Sequence, residues 1–409
     1  MSVSSDSYDV IVVGGGPAGT SAAIHLATQG ARVLLAEQKK FPRAKLCGEF
    51  ISPECLDHFQ RLGVMDSMIE AGGARLSETL FYARRGASVN VPSAWFGTQQ
   101  AVALGLSRAE MDERLLRRAS AASVFVLEDA RATALLMEGD VVRGVRLKVC
   151  GQEVREYNAR VTLDATGRAR SLARYVKREA HNTTHKRAPL VAFKTHLEGA
   201  RGNPLHCEIY FYRGGYGGLS SVEGGLSNLC FIVSANDVRA RGGDADRVLR
   251  EVVMTNARAS HTLREARPAT EWLGVALESF GRHEVVPAKG LLAVGDAASF
   301  IDPFTGSGML MALESGELAA QSVARWLDAR GQKPLSFDSL GSDYRALYLK
   351  RFNARLRICA LLRRAAFVPG LAEAAILACG ASTHLRRRLA RATRRPPLKS
   401  LGGRGSAET

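Results

Sequence analysis

Three glycines and one acidic residue near the start of the chain have the types and spacing needed to hold a nucleotide. Gly14, Gly16 and Gly19 fit the pattern G-x-G-x-x-G, and Glu37 follows 23 positions after Gly14. In this pattern the first glycine permits a tight turn, the second lets the backbone approach a pyrophosphate, and the third brings a helix close to a strand. An acid at this distance is placed to bind a ribose hydroxyl. The four residues therefore predict a dinucleotide site.

The elements around the glycines are those that must position them. Residues 8–13 are an apolar, β-rich run, residues 20–30 predict an Ala-rich helix closed by Gly30, and residues 31–37 predict the next strand. The glycines thus lie between a strand and a helix N-terminus, where free N–H groups face bound phosphates. A purely structural glycine turn would not account for the matching acid, so we interpret this βαβ unit as Rossmann-type.

A second glycine-rich turn lies late in the chain, within residues 291–316. A buried strand runs into Asp296, and Gly306, Ser307 and Gly308 then open a helix. A helix N-terminus carries roughly half a positive charge through its free N–H groups, so it stabilises an anionic group placed against it. A simple Asp N-cap would explain neither the buried strand nor the nearby glycines.

Two further segments carry polar residues between these turns. The segment LDATGRAR places Asp164 at the end of a predicted strand. Residues 106–119 predict a helix with Ser107 as its N-cap and Glu110 three positions later, as in a capping box.

The segments GGGPAG, LDATGRAR and LLAVGDAASFIDPFTGSG, taken together, resemble those of FAD-dependent enzymes of the para-hydroxybenzoate hydroxylase superfamily. Within it, the sequence is most similar to the branch that contains geranylgeranyl reductases and flavin-dependent halogenases. The resemblance implies FAD as cofactor and NAD(P)H as the electron donor, with no metal. It implies the following cofactor-binding residues: Gly14, Gly16, Ala18, Gly19, Glu37, Arg43, Lys45, Arg108, Asp164, Asp296, Gly306, Ser307 and Gly308.

The resemblance implies an α/β fold, α+β overall. We expect a Rossmann-type FAD-binding domain, a second, antiparallel-sheet substrate domain and a helical C-terminal tail. Within the substrate domain, residues 188–280 alternate like antiparallel strands with glycine breaks. The expected boundaries are 1–75, 102–175 and 281–345 for the FAD-binding domain, 76–101 and 176–280 for the substrate domain, 346–395 for the basic tail, and 396–409 for a disordered end.

Three functions remain open at this point. We expect an NAD(P)H-driven monooxygenase that hydroxylates or epoxidises a hydrophobic, aromatic or polyketide-like metabolite, because such chemistry belongs to the cofactor and leaves little trace in the side chains. An FAD-dependent reductase of prenyl or polyene double bonds is the alternative, since Cys47-Gly48 and the TGSG turn resemble that group. A flavin-binding protein without turnover is the third. The halogenase W-x-W-x-I-P element is missing.

Six residues are candidates for the substrate face. A tyrosine or glutamate there could orient a phenol or donate a proton, whereas the alternative is a strand tyrosine that packs its ring and bonds its hydroxyl nearby. Cys47 could be a nucleophile, a redox partner or a small buried filler. The first three candidates for catalysis are Cys47, Glu49 and Tyr216, and the others are Tyr210, Tyr212 and Glu223.

Charge is concentrated at the C-terminus. The net charge is +16, and residues 343–409 hold 15 Lys/Arg against 3 Asp/Glu, which leaves only +4 on the body. Two basic amphipathic segments flank the apolar stretch FVPGLAEAAILACG. This pattern is typical of contact with an anionic membrane surface, or of a solvated helical tail with its apolar face on the body. Nucleic-acid binding is not expected, because aromatic groups are almost absent among the charges.

The remaining composition bounds the setting. Seven cysteines are spread along the chain without a C-x-x-C pair, which argues against disulfides and zinc and favours a reducing cytoplasm. No apolar run reaches the roughly 18 residues of a membrane span. We therefore expect a cytoplasmic protein, with peripheral contact at the inner face of a membrane left open, that acts on a small hydrophobic substrate. The oligomeric state is not predicted.

Overall fold

The computed structural model describes residues 7–96, 99–176, 189–277, 280–328, 335–367 and 370–394. The predicted disordered end, 396–409, lies outside them. The strands within these ranges are β1 Ser7–Val13, β2 Val33–Ala36, β3 Phe50–Ile51, β4 Ala74–Leu76, β5 Glu78–Tyr82, β6 Ser88–Pro92, β7 Ala103–Gly105, β8 Phe125–Leu127, β9 Ala130–Glu138, β10 Val141–Val149, β11 Val154–Asp164, β12 Leu190–Glu198, β13 His206–Tyr212, β14 Gly215–Ser221, β15 Ser227–Ser234, β16 Arg267–Pro268, β17 Leu273–Leu277, β18 Gly281–Arg282, β19 Leu291–Ala293 and β20 Ser299–Phe300. The helices are α1 Pro17–Thr28, α2 Pro53–Leu62, α3 Met65–Glu70, α4 Arg108–Ala121, α5 Ser171–Val176, α6 Ala235–Ala240, α7 Ala245–Glu251, α8 Ala257–Leu263, α9 Gly308–Asp328, α10 Phe337–Ala366, α11 Leu371–Ala381 and α12 Thr383–Ala392.

The first sheet contains the predicted βαβ unit. Its order is β8-β2-β1-β11-β10-β9, and β19 pairs with the C-terminal part of β11. The pairs β1–β2, β1–β11 and β11–β19 are parallel, as their continuous apolar sequences favour. In register, Val13 lies beside Asp164, and Asp164 lies beside Ala293. The turns that follow these three strands therefore start at one edge of the sheet.

Helices α1 and α9 pack against each other beside this sheet, at very short range. A Cβ atom on Gly316 of α9 would lie 2.3 Å from the carbonyl oxygen of Ala18 in α1. Ser21 of α1 also donates a hydrogen bond of 3.0 Å to the carbonyl of Leu313 in α9. The two helices are thus held together close to the N-terminus of α1.

The second sheet is the antiparallel sheet that the sequence predicts beside the Rossmann-type domain. Its order is β16-β12-β15-β14-β13-β5-β6, with β17 also on β12. The neighbours are antiparallel except β5 and β13, which are parallel. This sheet confirms the expected antiparallel domain.

One part of residues 188–280 differs from the strand prediction. Residues 235–263 contain three helices, α6, α7 and α8, rather than strands. Their N-caps are Ser234, Asp244 and Asn256, whose side-chain oxygens accept backbone N–H groups of the first turns. Apolar residues of α7 and α8, such as Val248 and Leu263, are buried in the same cluster as the sheet. The caps and this one-sided burial outweigh the local strand-like alternation.

Helix α10 belongs to the core of the FAD-binding domain. Tyr344 donates a hydrogen bond of 2.8 Å to the carbonyl of Ala293 in β19. Tyr348 donates one of 2.8 Å to the hydroxyl of Ser299. The boundary expected at 345/346 therefore falls inside one continuous helix. None of the helices in the described ranges combines the length and apolarity needed to cross a membrane.

The contact of α1 with α9 predicts the effect of one methyl group. We expect Gly316→Ala to lower the unfolding free energy by about 1–3 kcal/mol, because the new Cβ atom forces the backbones apart. Gly380→Ala is the control, since nothing lies within 4 Å of a Cβ at that helical position, and it should be neutral or stabilising. Thermal and denaturant unfolding measure both, and equal stability of the two variants would contradict the close packing.

Candidate active site

A cavity of about 880 Å³ begins where β1, β11 and β19 end and reaches the second sheet and the tail helices. Its volume lies at the upper end of the range of ligand sites, roughly 300–1,000 Å³. Both glycine-rich turns line one part of it, and apolar side chains of β5, β6, β13 and β15 line another. Ligands of open α/β sheets bind at this carboxyl edge.

The three glycines of the first turn have different surroundings. Gly14 has a φ of +114°, and a Cβ there would lie 2.2 Å from the carbonyl oxygen of Ala165. A Cβ on Gly19 would lie 1.9 Å from the carbonyl oxygen of Gly14. A Cβ on Gly16 would meet only guanidinium nitrogens, at 3.8 Å and 4.0 Å. Gly14 and Gly19 are therefore required by the fold, whereas Gly16 keeps space free at the N-terminus of α1.

Those guanidinium groups belong to Arg108 and Arg43. Arg108 donates two hydrogen bonds, of 2.8 and 2.7 Å, to the buried carboxylate of Asp112. Arg43 lies 3.2 Å from Asp112 and 3.4 Å from Glu37. Glu37 also accepts the N–H of Gly15 at 2.8 Å. Two cations and a helix N-terminus thus surround the space at Gly16, which suits a pyrophosphate.

Asp296 follows β19 and lines the cavity. Its carboxylate forms no hydrogen bond with the part of the chain that the structure describes. Burial raises the pKa of Asp296, and the charges of Arg168, Lys45 and Arg108 oppose this effect. Burial and the neighbouring Arg108 in turn lower the pKa of Lys45. A carboxylate with unused acceptor oxygens in a cavity suits a hydroxyl-rich ligand segment such as a ribityl chain.

The second glycine turn lies at the start of α9. Gly306 has a φ of +60°, which favours glycine, and Gly308 begins the helix. The C-terminal end of the tail contacts this turn, because Arg394 donates a hydrogen bond of 3.4 Å to the carbonyl of Gly306. Ser307 donates one of 3.4 Å to the carbonyl of Thr393. The tail therefore braces the turn that presents the N-terminus of α9.

The arrangement of these cavity residues fits FAD. The cavity has an anion-binding turn, a free carboxylate and a second helix N-terminus, in an order that suits the pyrophosphate, ribityl and isoalloxazine parts. The predicted cofactor-binding residues that line it are Gly14, Gly16, Ala18, Glu37, Arg43, Lys45, Arg108, Asp296, Gly306 and Gly308.

Three predicted residues lie behind the wall. Gly19 lies at the contact of α1 with the turn, and Ser307 is fully buried. Asp164 is fully buried and accepts hydrogen bonds from the backbone N–H and hydroxyl of Thr166 and from the N–H of Ala173. Asp164 thereby shapes the turn whose residues 165–169 line the cavity. Direct contact of these three residues with the cofactor stays a prediction, as it does for the ten that line the cavity.

Cys47 and Glu49 line the cavity, but Tyr216 does not. The Tyr216 hydroxyl donates to Asp302 and accepts the N–H of Phe304 at 2.9 Å, and burial raises its pKa. The other three substrate-face candidates also have structural partners. Tyr210 donates to Glu208, Tyr212 donates to the carbonyl of Ile232, and Glu223 accepts the N–H of Ser107, the N-cap of α4.

Glu49 is held by a cluster that the sequence did not reveal. Its carboxylate accepts hydrogen bonds from Lys194, from the N–H of Arg108 at 2.8 Å and from Nε2 of His196 at 2.7 Å. Burial would raise the pKa of Glu49, but the hydrogen bond from His196 and the charge of Lys194 outweigh it and lower the pKa. Glu49 is therefore a carboxylate that links the N-terminus of α4 to β12 of the second sheet. The members of this cluster are far apart in sequence. Only Lys194 and His196 could have been linked, because residues two positions apart on a strand such as β12 lie on the same face.

The first turn predicts opposite effects for two similar substitutions. Gly16→Ala should leave the unfolding temperature of the cofactor-free protein unchanged but weaken FAD binding at least tenfold, because the methyl group occupies the pyrophosphate space. Gly14→Ala should unfold the protein at a lower temperature, because its Cβ meets a backbone carbonyl. Thermal unfolding and FAD titration separate the two effects. Unchanged affinity in Gly16→Ala would place the phosphates elsewhere.

The environment of Asp296 predicts that its carboxylate lowers the stability of the cofactor-free protein but strengthens FAD binding. Since its folded-state pKa lies above the ordinary 3.8, the cofactor-free protein loses stability as the pH rises from 3.8 through that pKa, and the loss persists at pH 7. Asp296→Asn should therefore raise the unfolding temperature of the cofactor-free protein at pH 7, with little effect below about pH 3, and weaken FAD binding. Unfolding scans across pH, with calorimetric FAD titration, test both. A less stable variant at pH 7 would contradict the sign.

Comparison with known proteins supports the same cofactor. A protein-family model described as an FAD binding domain matches residues 7–335. The digeranylgeranylglycerophospholipid reductase of Methanosarcina mazei is 28% identical over 330 residues, which cover 79% of this chain and 77% of that protein. The menaquinone reductase of Mycobacterium tuberculosis is 29% identical over 379 residues, which cover 89% and 86%.

Solved structures share the fold. The flavin-dependent brominase Bmp2 superposes with a TM-score of 0.78 at 20% identity, covering 95% of this chain and 93% of that one. A geranylgeranyl bacteriochlorophyll reductase-like protein from Thermoplasma acidophilum gives 0.73 at 20% identity, covering 95% and 92%. The expected fold class and the resemblance carried by the three motifs are thereby confirmed. The chain belongs to the FAD binding domain family and is an FAD-dependent oxidoreductase.

Proposed function

We propose that this enzyme is a reductase that saturates a carbon–carbon double bond of a polyprenyl lipid, with NAD(P)H as the electron donor. The similar proteins named above act, by their names, on digeranylgeranylglycerophospholipid and menaquinone. Both are lipids that carry long isoprenoid chains. The observation that carries the proposal is the Cys47 thiol, which lies in the wall of a long apolar cavity.

The substrate end of the cavity suits an isoprenoid chain. Aliphatic residues of the second sheet and of the tail helices line it, and aliphatic side chains form no hydrogen bonds with a ligand. A buried apolar chain gains roughly 25 cal/mol for each Å² removed from water, so this wall binds a chain without reading individual groups. The aliphatic residues are Val89, Val91, Ile209, Ile232, Leu277, Leu362 and Ile376.

Cys47 is the candidate proton donor in the cavity wall. Glu49 is held as a carboxylate, and Tyr216 lies outside the cavity wall. The Cys47 sulfur accepts the N–H of Glu49 at 3.4 Å and interacts with the guanidinium of Arg108. A thiolate left after proton transfer would therefore be stabilised by a neighbouring cation.

The reduction balances with one hydride and one proton. When bound and reduced by NAD(P)H, FAD would supply the hydride equivalent to one alkene carbon. The Cys47 thiol donates its proton to the other carbon, and water then returns a proton to the thiolate. The apolar wall orients the double bond and excludes bulk water.

Anaerobic turnover tests this proposal. With reduced protein and a geranylgeranyl lipid, we expect a product heavier by two hydrogens, and at least one added deuterium per saturated bond in heavy water. Cys47→Ala should lower this rate at least a hundredfold, because general acid catalysis contributes roughly 10²–10⁴. Cys379→Ala is the matched control, since that cysteine also lines the cavity but lies on α11. FAD binding should be unchanged in both variants.

The monooxygenase expected from the sequence is the second candidate. The phenylalanines Phe81, Phe211 and Phe304 line the same cavity and would pack against an aromatic substrate. It predicts substrate-dependent oxygen consumption and incorporation of ¹⁸O from ¹⁸O₂. Such a product, with no saturation of the lipid under anaerobic conditions, would overturn the reductase proposal.

A further inference from the structure

Helix α11 has an apolar face that no described residue covers. Leu371 and Leu377 are 45% and 62% exposed, while Ile376 is buried in the cavity wall. The outward positions between them are also apolar, and Glu373 is the one charged residue of this helix. A helix that is apolar all round is expected to be buried. We therefore expect a partner to cover the outer face of α11.

The neighbouring helices continue this face. In α12, Leu385 and Leu389 are each 38% exposed and one turn apart, and Arg386 of α12 and Arg394 after it line the cavity. At the end of α10, Leu361 is 68% exposed. Helix α11 packs against both α10 and α12. Among the described residues, twelve large apolar side chains are exposed, and five of them lie between 361 and 389, so the exposure is concentrated here.

Exposed arginines surround these leucines. Arg357 and Arg364 lie one turn before and after Leu361 on α10, and three more lie on α12. None of the five forms an ion pair within the part of the chain that the structure describes. We call the whole set the leucine–arginine face: Leu361, Leu371, Leu377, Leu385, Leu389, Arg357, Arg364, Arg387, Arg388 and Arg391.

We propose that the leucine–arginine face docks on the surface of an anionic phospholipid bilayer. Leucines inserted at the boundary of the acyl chains lose contact with water, and the arginines reach the phosphates of the headgroups. Each cation near an anionic leaflet adds attraction that salt screens. An acidic protein would also attract the arginines, but outward-facing leucines spread over three helices favour an extended apolar medium.

The docked face is also a wall of the cavity. Leu371 and Leu389 are exposed and line the cavity, and Ile376 and Cys379 line it from the inner side of α11. One layer of helix therefore separates the proposed bilayer contact from the substrate end. If the proposed function holds, a polyprenyl lipid would enter from the membrane through this layer; the docking itself does not depend on that function.

Vesicle co-sedimentation of the FAD-loaded full chain tests the docking. We expect binding to vesicles of phosphatidylcholine with 30% phosphatidylglycerol, little binding to pure phosphatidylcholine, and weakening at high salt. Leu377→Asp combined with Leu385→Asp should weaken binding at least tenfold, and Arg388→Glu combined with Arg391→Glu should do the same. Leu205→Asp is the control, since Leu205 is 52% exposed outside the tail, and it should bind as the unchanged protein does. The flavin spectrum and unfolding temperature of each variant report folding.

Equal binding to both vesicle types, or anionic binding unaffected by the leucine substitutions, would overturn the proposal. Absence of vesicle binding together with capture of an acidic protein would assign the face to a protein partner instead. Vesicle binding requires no turnover, so its failure is distinct from failure of the reductase assay. Conversely, a protein that docks but does not saturate the lipid would contradict only the proposed function.

Discussion

The structure depends on the close approach of two helices at one edge of a parallel sheet. Gly19 allows α1 to lie against the turn that follows β1, and Gly316 allows α9 to lie against α1. A side chain at either position would separate these elements. Because both helices begin beside the same cavity, it receives two N-termini, each equivalent to roughly half a positive charge. Such a cavity suits a ligand with a pyrophosphate at one end and an electron-accepting ring at the other.

Charged side chains act beside the cavity together with the two helix N-termini. Asp112 and Glu37 hold two guanidinium groups against the first turn, so these cations are positioned before a ligand arrives. Glu49 performs a comparable task between the N-terminus of α4 and the second sheet, through Lys194 and His196. Buried charges of this kind are costly unless paired. Their pairing offsets that cost, while Cys47 and Asp296 line the cavity.

The parts of the site with local signals were predictable from the sequence. The spacing of Gly14, Gly16 and Gly19 reports the turn directly, and Ser107 caps α4 as expected by accepting the N–H of Glu110. Contacts between distant segments were not predictable: Asp112 could have been noticed four positions after Arg108, but nothing local links Lys194 to Glu49. The helices between residues 235 and 263 were missed because short capped helices interrupt a strand-rich stretch.

Hydrogen–deuterium exchange with and without FAD tests the central claim most directly. The claim is that one FAD molecule contacts both glycine-rich turns. We predict that equimolar FAD slows exchange at residues 14–20 and at residues 306–311 together, with little change in α6, α7 and α8. Protection at the first turn alone, or at neither turn when micromolar FAD is added, would contradict the account.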